Sequence, residues 1–171
     1  MDSIIKVKRQ RSREVVSAIP ETLVGFQGIH VWVSQVDPAL VADGLDREFL
    51  WQAVHQKLVR AGLPVPPHSW QQTPSFPCLG VLVHADRAQV SPPFYVFSVE
   101  VFFVQKMTLA GTPSANAMRM AWCREAIGDA RRDTQGFDWS VLYNTVGSLV
   151  TQFLQESLGI NISAVPSRAC N

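Results

Sequence analysis

The residues of this chain best equipped for chemistry are His30, His84, Glu100 and Cys123, because each falls in a run that reads as a β-strand. Side chains on one face of neighbouring strands can converge into a metal or acid–base site. A metal site needs three or four ligands with partners behind them, so convergence depends on strand register, which decides the face and height of every side chain. An enzyme or metal site using His30, His84 and Glu100 is therefore carried as an alternative, with ordinary sheet-face histidines as the simpler reading. His55 stands one turn from Trp51 on a helical segment, where stacking is open to it. His68 and Trp70 fall in "LPVPPHSWQQTPSFPC", whose aromatics suit either a binding loop or a plug for the sheet edge.

Motifs with a known mechanism are missing: the chain has no Walker loop, HExxH, CxxC or GxSxG. "GFQG" at 25–28 precedes a strand where a phosphate site would need a helix N-terminus, so its glycines are read as a bend or bulge. "SIIK" at 3–6 lacks the partner motifs of a penicillin-recognising enzyme, and "NIS" at 161 is a glycosylation acceptor only in a secreted chain. Cys78, Cys123 and Cys170 show no paired spacing, which argues against a disulfide framework. The reading is of a non-enzyme with no cofactor and no metal.

The elements that would position these residues follow from periodicity. "GIHVWVSQV" (28–36) alternates as a strand, with Ile29, Val31 and Val33 on one face and His30, Trp32 and Ser34 on the other, and Asp37-Pro38 ends it. "GLDREFLWQAVHQKLVRAG" switches to helical spacing through Leu50, Val54, Leu58 and Ala61, with Asp46 as cap and Gly62 as stop. A short strand at Leu63 to Val65 is weakened by prolines 64, 66, 67, 74 and 77, so an edge or loop is expected there. "CLGVLVHAD", "FYVFSVEVFFVQ" and "AMRMAWCRE" then read as an antiparallel meander. "DWSVLYNTVGSLVTQFLQESLG" is an amphipathic helix with Leu142, Val146, Leu149 and Phe153 as its stripe. The order β-α-β-β-β-β-α predicts an α+β two-layer sandwich, a mixed four- to five-stranded sheet with two helices on one face. One domain over 23–162 is expected, between a basic N-terminal segment at 1–22 and a tail at 163–171.

Three landmarks resemble a family of small bacterial proteins of uncharacterised function: the strand leading into "VDPALVADGLDREFLWQAVHQKLVRAGLPV", the strand "FYVFSVEVFFVQ", and "MAWCREAIG" before the last helix. The order is also similar to that of the amino-terminal domain of the Tol-Pal translocation protein and related envelope-assembly domains. That resemblance implies a domain that binds other proteins. Such proteins often begin with a signal peptide, and this chain departs from that.

Composition narrows the partners. A 171-residue chain buries roughly 70% of its unfolded surface and needs no staple. Only 17% of its residues are charged, against roughly 25% in soluble domains, which leaves apolar surface for a partner. Fifteen basic residues balance 14 acidic ones, so no general field draws nucleic acid or anionic lipid. Lys6, Lys8, Arg9, Arg11 and Arg13 form the exception, a basic N-terminus suited to an acidic surface. No apolar run reaches membrane-helix length and no signal h-region precedes the domain, so a cytoplasmic chain is expected, or an envelope one if an export signal has been removed.

In "FYVFSVEVFFVQKM", Tyr95, Phe97, Val99, Val101 and Phe103 should meet the helices. Phe94, Val96, Ser98, Glu100, Phe102 and Val104 would face away, joined by Trp32 and Trp122. Trp32, Phe94, Val96, Glu100, Phe102, Val104 and Trp122 are accordingly the expected partner-binding face of an assembly domain acting through its open sheet face or an edge strand. A nucleic-acid-binding sheet using Trp32, Phe102 and the basic tail is the other alternative.

Overall fold

The computed structural model describes residues 28–67, 77–108 and 116–160. The basic segment, the loop carrying His68 and Trp70, and the tail with Cys170 lie outside them. Four strands, β1 (His30–Val33), β2 (Cys78–Ala88), β3 (Phe94–Thr108) and β4 (Asn116–Arg131), form one sheet in sequence order. β1 runs parallel to β2, and β2, β3 and β4 are antiparallel neighbours. Three helices, α1 (Pro38–Ala42), α2 (Arg47–Arg60) and α3 (Ser140–Leu158), complete an α+β two-layer sandwich.

Each helix begins where a side chain can satisfy its free N–H groups. Asp37 accepts from Ala39 at 2.7 Å with Pro38 in the first turn, and Asp46 accepts from Glu48 at 2.8 Å and Phe49 at 3.3 Å. Asp138 does the same for the Ser140 N–H at 2.9 Å, and the Ser140 hydroxyl first and this N–H second hold its carboxyl below the usual carboxylate range. α3 stops at Gly159, whose φ of 63° is the left-handed cap. Gly28 holds a φ of 138°, and a Cβ there would meet the Pro64 carbonyl oxygen at 2.6 Å, which is the bend expected of this glycine.

The core is one cluster. Leu50, Val54 and Leu58 of α2 and Leu142, Val146, Leu149, Val150, Phe153 and Leu154 of α3 cover Val31, Val33, Leu79, Val81, Tyr95, Phe97, Val99, Val101 and Phe103 of the sheet. The alternation of "FYVFSVEVFFVQKM" is therefore realised with its odd-numbered residues inward.

Four departures from the sequence expectation have physical causes. Leu63–Val65 forms no strand, and its neighbourly role shrinks to one bond, from the Ile29 N–H to the Pro64 carbonyl at 2.9 Å. α1 follows directly on Asp37-Pro38, a helix-start pair four residues beyond the end of β1 at Val33. β4 continues six residues past Glu125 because its pairing with β3 carries on to Phe94 and Arg131. The fourth concerns Trp122: between Met120 and Trp122 the register shifts, leaving Ala121 as a bulge residue. The bulge inverts parity, so Trp122 pairs with Phe103 on the helix side and packs buried against Phe153. Trp122 does not belong to the open face.

Candidate sheet-face site

The second face of the sheet has no helix or strand stacked on it among the described residues. Its rows follow from register: His30, Cys78, Val104 and Met120; Trp32, Gly80, Phe102 and Cys123; Leu82, Glu100 and Glu125; His84, Ser98 and Ile127; Asp86, Val96 and Asp129; Ala88, Phe94 and Arg131. Six of the seven expected face residues, Trp32, Phe94, Val96, Glu100, Phe102 and Val104, stand in these rows. Met118, Met120 and Ile127 join them; Met118 and Met120 have the parity read for Trp122, whereas Ile127 reaches this face because the bulge at Ala121 inverts parity after it. Ile127 is 74% exposed and Val96 44% exposed.

The face is graded along the strands. At one end Phe102 lies over Gly80, where any Cβ would collide with its ring, and Trp32 tilts against it with centroids 6.2 Å apart. Cys78, next to them, is buried, and burial pushes its thiol up to about 12. At the centre Glu100 stands directly opposite Glu125, a like-charge pairing that is unfavourable in a sheet. The Cys123 thiol donates to Glu100 Oε1 at 3.1 Å. Burial first and Glu100 second push this thiol up to about 12, so it stays protonated near neutral pH and supplies no thiolate nucleophile. Toward the other end Asp86 and Asp129 flank exposed Val96, and Arg131 pairs with Asp129 at 2.8 Å.

His30, His84 and Glu100 share this face without meeting. His30 is level with Cys78, six residues along β2 from His84, which puts them roughly 20 Å apart at strand rise. No group of three or more His, Cys, Asp or Glu among the described residues is arranged to hold a metal ion. His55 stacks on Trp51 with centroids 4.7 Å apart, as its one-turn spacing allows.

On the opposite side of the molecule, an open hollow of about 560 Å³ is lined by Val41, Gly44, Leu45, Asp46, Arg47 and Glu48. Its polar groups serve the fold: Asp46 caps α2, and Arg47 donates twice to the Val33 carbonyl, at 2.6 and 3.1 Å. No described helix is long and apolar enough to cross a membrane.

No family model matches this chain, and no curated protein is similar to it. Among solved structures it is similar to the hypothetical protein CT253 from Chlamydia trachomatis, at 12% identity and a TM-score of 0.38, over 77% of this chain and 87% of that one. A likeness of that size carries no argument here.

Proposed function

We propose that this is a non-enzymatic protein-binding or assembly domain that engages its partner through the sheet face away from the helices. The observation that carries the reading is apolar side chains left in solvent toward both ends of the face: Val96 and Ile127 at one end and Met118 and Met120 at the other are exposed, and Leu82, Phe94, Phe102 and Val104 are half-buried on the same face. Apolar surface interleaved with polar groups is the make-up of a partner interface.

The four carboxylates Asp86, Glu100, Glu125 and Asp129 on this face repel phosphate, which weighs against stacking of a nucleic acid on Trp32 and Phe102. The test is capture of a native partner by the tagged chain and by two variants. Val96→Lys with Ile127→Lys should lose a partner that wild type retains, while Phe49→Lys, on the helix side, should keep it. Equal retention by all three proteins would overturn the reading.

A further inference from the structure

The open face and the sequence before β1 carry opposite charge. Asp86, Glu100, Glu125 and Asp129 stand on the face with one guanidinium, that of Arg131, which is already paired with Asp129. Glu100 lies opposite Glu125, and neither has an ion-pair partner among the described residues. Lys6, Lys8, Arg9, Arg11 and Arg13 put five cations into eight residues of sequence. Between them and Gly28 the sequence turns apolar through Val15, Val16, Ile19, Leu23, Val24 and Phe26. The face has the same order. The chain enters β1 at the row of His30, Val104 and Met120, beside Trp32 and Phe102, and the carboxylates begin at Glu100 and Glu125 and end at Asp86 and Asp129. At about 3.3 Å per residue and about 4.8 Å between strands, the central pair lies roughly 25 Å from Gly28 and the far pair roughly 35 Å. Arg13 is 15 residues from Gly28, a span of about 22 Å as helix and about 50 Å extended, which brackets both distances.

We infer that residues 6–27 of the same chain occupy the open face, their apolar part over Phe102 and Met120 and their cations against the four carboxylates, and that a partner binds by displacing them. Cations placed there relieve the Glu100–Glu125 repulsion, which the sheet alone leaves standing. Exposed ion pairs are individually weak, so the tether selects the occupant. Attachment at Gly28 holds the segment at an effective concentration on the order of millimolar, which a separate cationic chain does not reach in solution. Displacement rests on the reading of this face as a partner interface; the docking of the segment does not.

A carbodiimide joins a lysine amine to a carboxylate in contact with it, so Lys6 and Lys8 report what they touch. In the full chain at low salt, peptide mass spectrometry should find them joined to Asp86, Glu125 or Asp129. In a mixture of unlabelled and isotope-labelled chains, the joined peptides should be isotopically pure. Raising the salt to about 1 M should lower the yield roughly fivefold. Absence of links to the face overturns the inference, as does equal joining to Asp37 and Glu156, which are exposed off this face. Links of mixed isotope would put the segment on a second copy and overturn docking within one chain. With Lys6→Gln, Lys8→Gln, Arg9→Gln, Arg11→Gln and Arg13→Gln combined, the chain should retain roughly threefold more captured partner, given the weakness of exposed pairs. Unchanged retention overturns the displacement. Face links in a chain whose partner ignores Val96→Lys with Ile127→Lys would uphold the docking and sink the partner reading. Loss of the partner in that variant without face links in wild type would do the reverse.

Discussion

The Phe102 ring lies against the Cα of Gly80, one strand away, in space that a single methyl group on residue 80 would claim. The pair is the floor of the aromatic end of the open face, with Trp32 on its flank. Gly80→Ala should therefore destabilise the fold by about 1–3 kcal/mol, the usual cost of overpacking. Urea unfolding of Gly80→Ala, Phe102→Ala and the double variant checks the origin of that cost, because removing the ring should make the alanine at 80 nearly neutral.

The Tyr95 hydroxyl donates to Asp43 Oδ2 at 2.6 Å, tying the centre of the sheet to the end of α1. Burial, then Asp43, pushes the phenol above its ordinary range. Tyr95→Phe should cost about 1–3 kcal/mol, as for a hydrogen bond to a charged acceptor. Chemical denaturation measures it, and an unchanged midpoint would show that the bond contributes nothing.

Asp46→Ala removes the side chain that meets the first free N–H groups of α2 and should cost about 0.5–2 kcal/mol. Asp46→Asn, which keeps an accepting oxygen, should recover most of it in the same thermal or urea measurement.

Both described thiols should lend the fold a dependence on alkaline pH. Their ordinary value of 9.0 rises to about 12 in the folded chain. A raised pKa means that the native state holds the proton more tightly than the unfolded one, so this stabilisation is complete below pH 9 and is lost as pH climbs toward 12. Stability measured from pH 8 to pH 11 should fall less steeply in Cys78→Ala with Cys123→Ser than in wild type. At pH 8, iodoacetamide should alkylate Cys123 more slowly in the native chain than in urea, although the residue is only partly buried.

Much of this fold is legible in the sequence because local rules and packing agree there. The inward set of β3, the stripes of α2 and α3, the Asp46 cap and the Gly159 stop all follow from spacing and residue type. Trp122 was illegible for the opposite reason. Alternation assigns a face only while the ladder is regular, and nothing in "MRMAWCRE" announces that Ala121 is the extra residue. The same bulge brings Ile127 onto the open face and leaves Met118 and Met120 there. β4 beyond Glu125 carries Gly128 and mixed charges with no apolar alternation, so its strand state depends on β3 and not on its own residues. α1, by contrast, had a signal, since an Asp followed by Pro suits a first helical turn as well as a strand end. The failure of His30 and His84 to converge needed the parallel register of β1 on β2, which no local pattern encodes.

The turn between α1 and α2 is held from far along the chain. Trp139 Nε1 donates to the Asp43 carbonyl at 2.9 Å, and the Asp46 N–H donates to the Tyr143 hydroxyl at 3.1 Å across 97 residues of sequence. Lys57 Nζ adds a 3.0 Å bond to the Thr151 hydroxyl. A chain emerging from the ribosome can form α2 early, but the Trp139 and Tyr143 bonds of this turn arrive only with the last described helix. Because the parallel β1–β2 pair also requires a long loop to close, the rate of folding should be governed by late, non-local events, and the N-terminal half must wait, with its apolar stripe uncovered, for the C-terminal half to arrive.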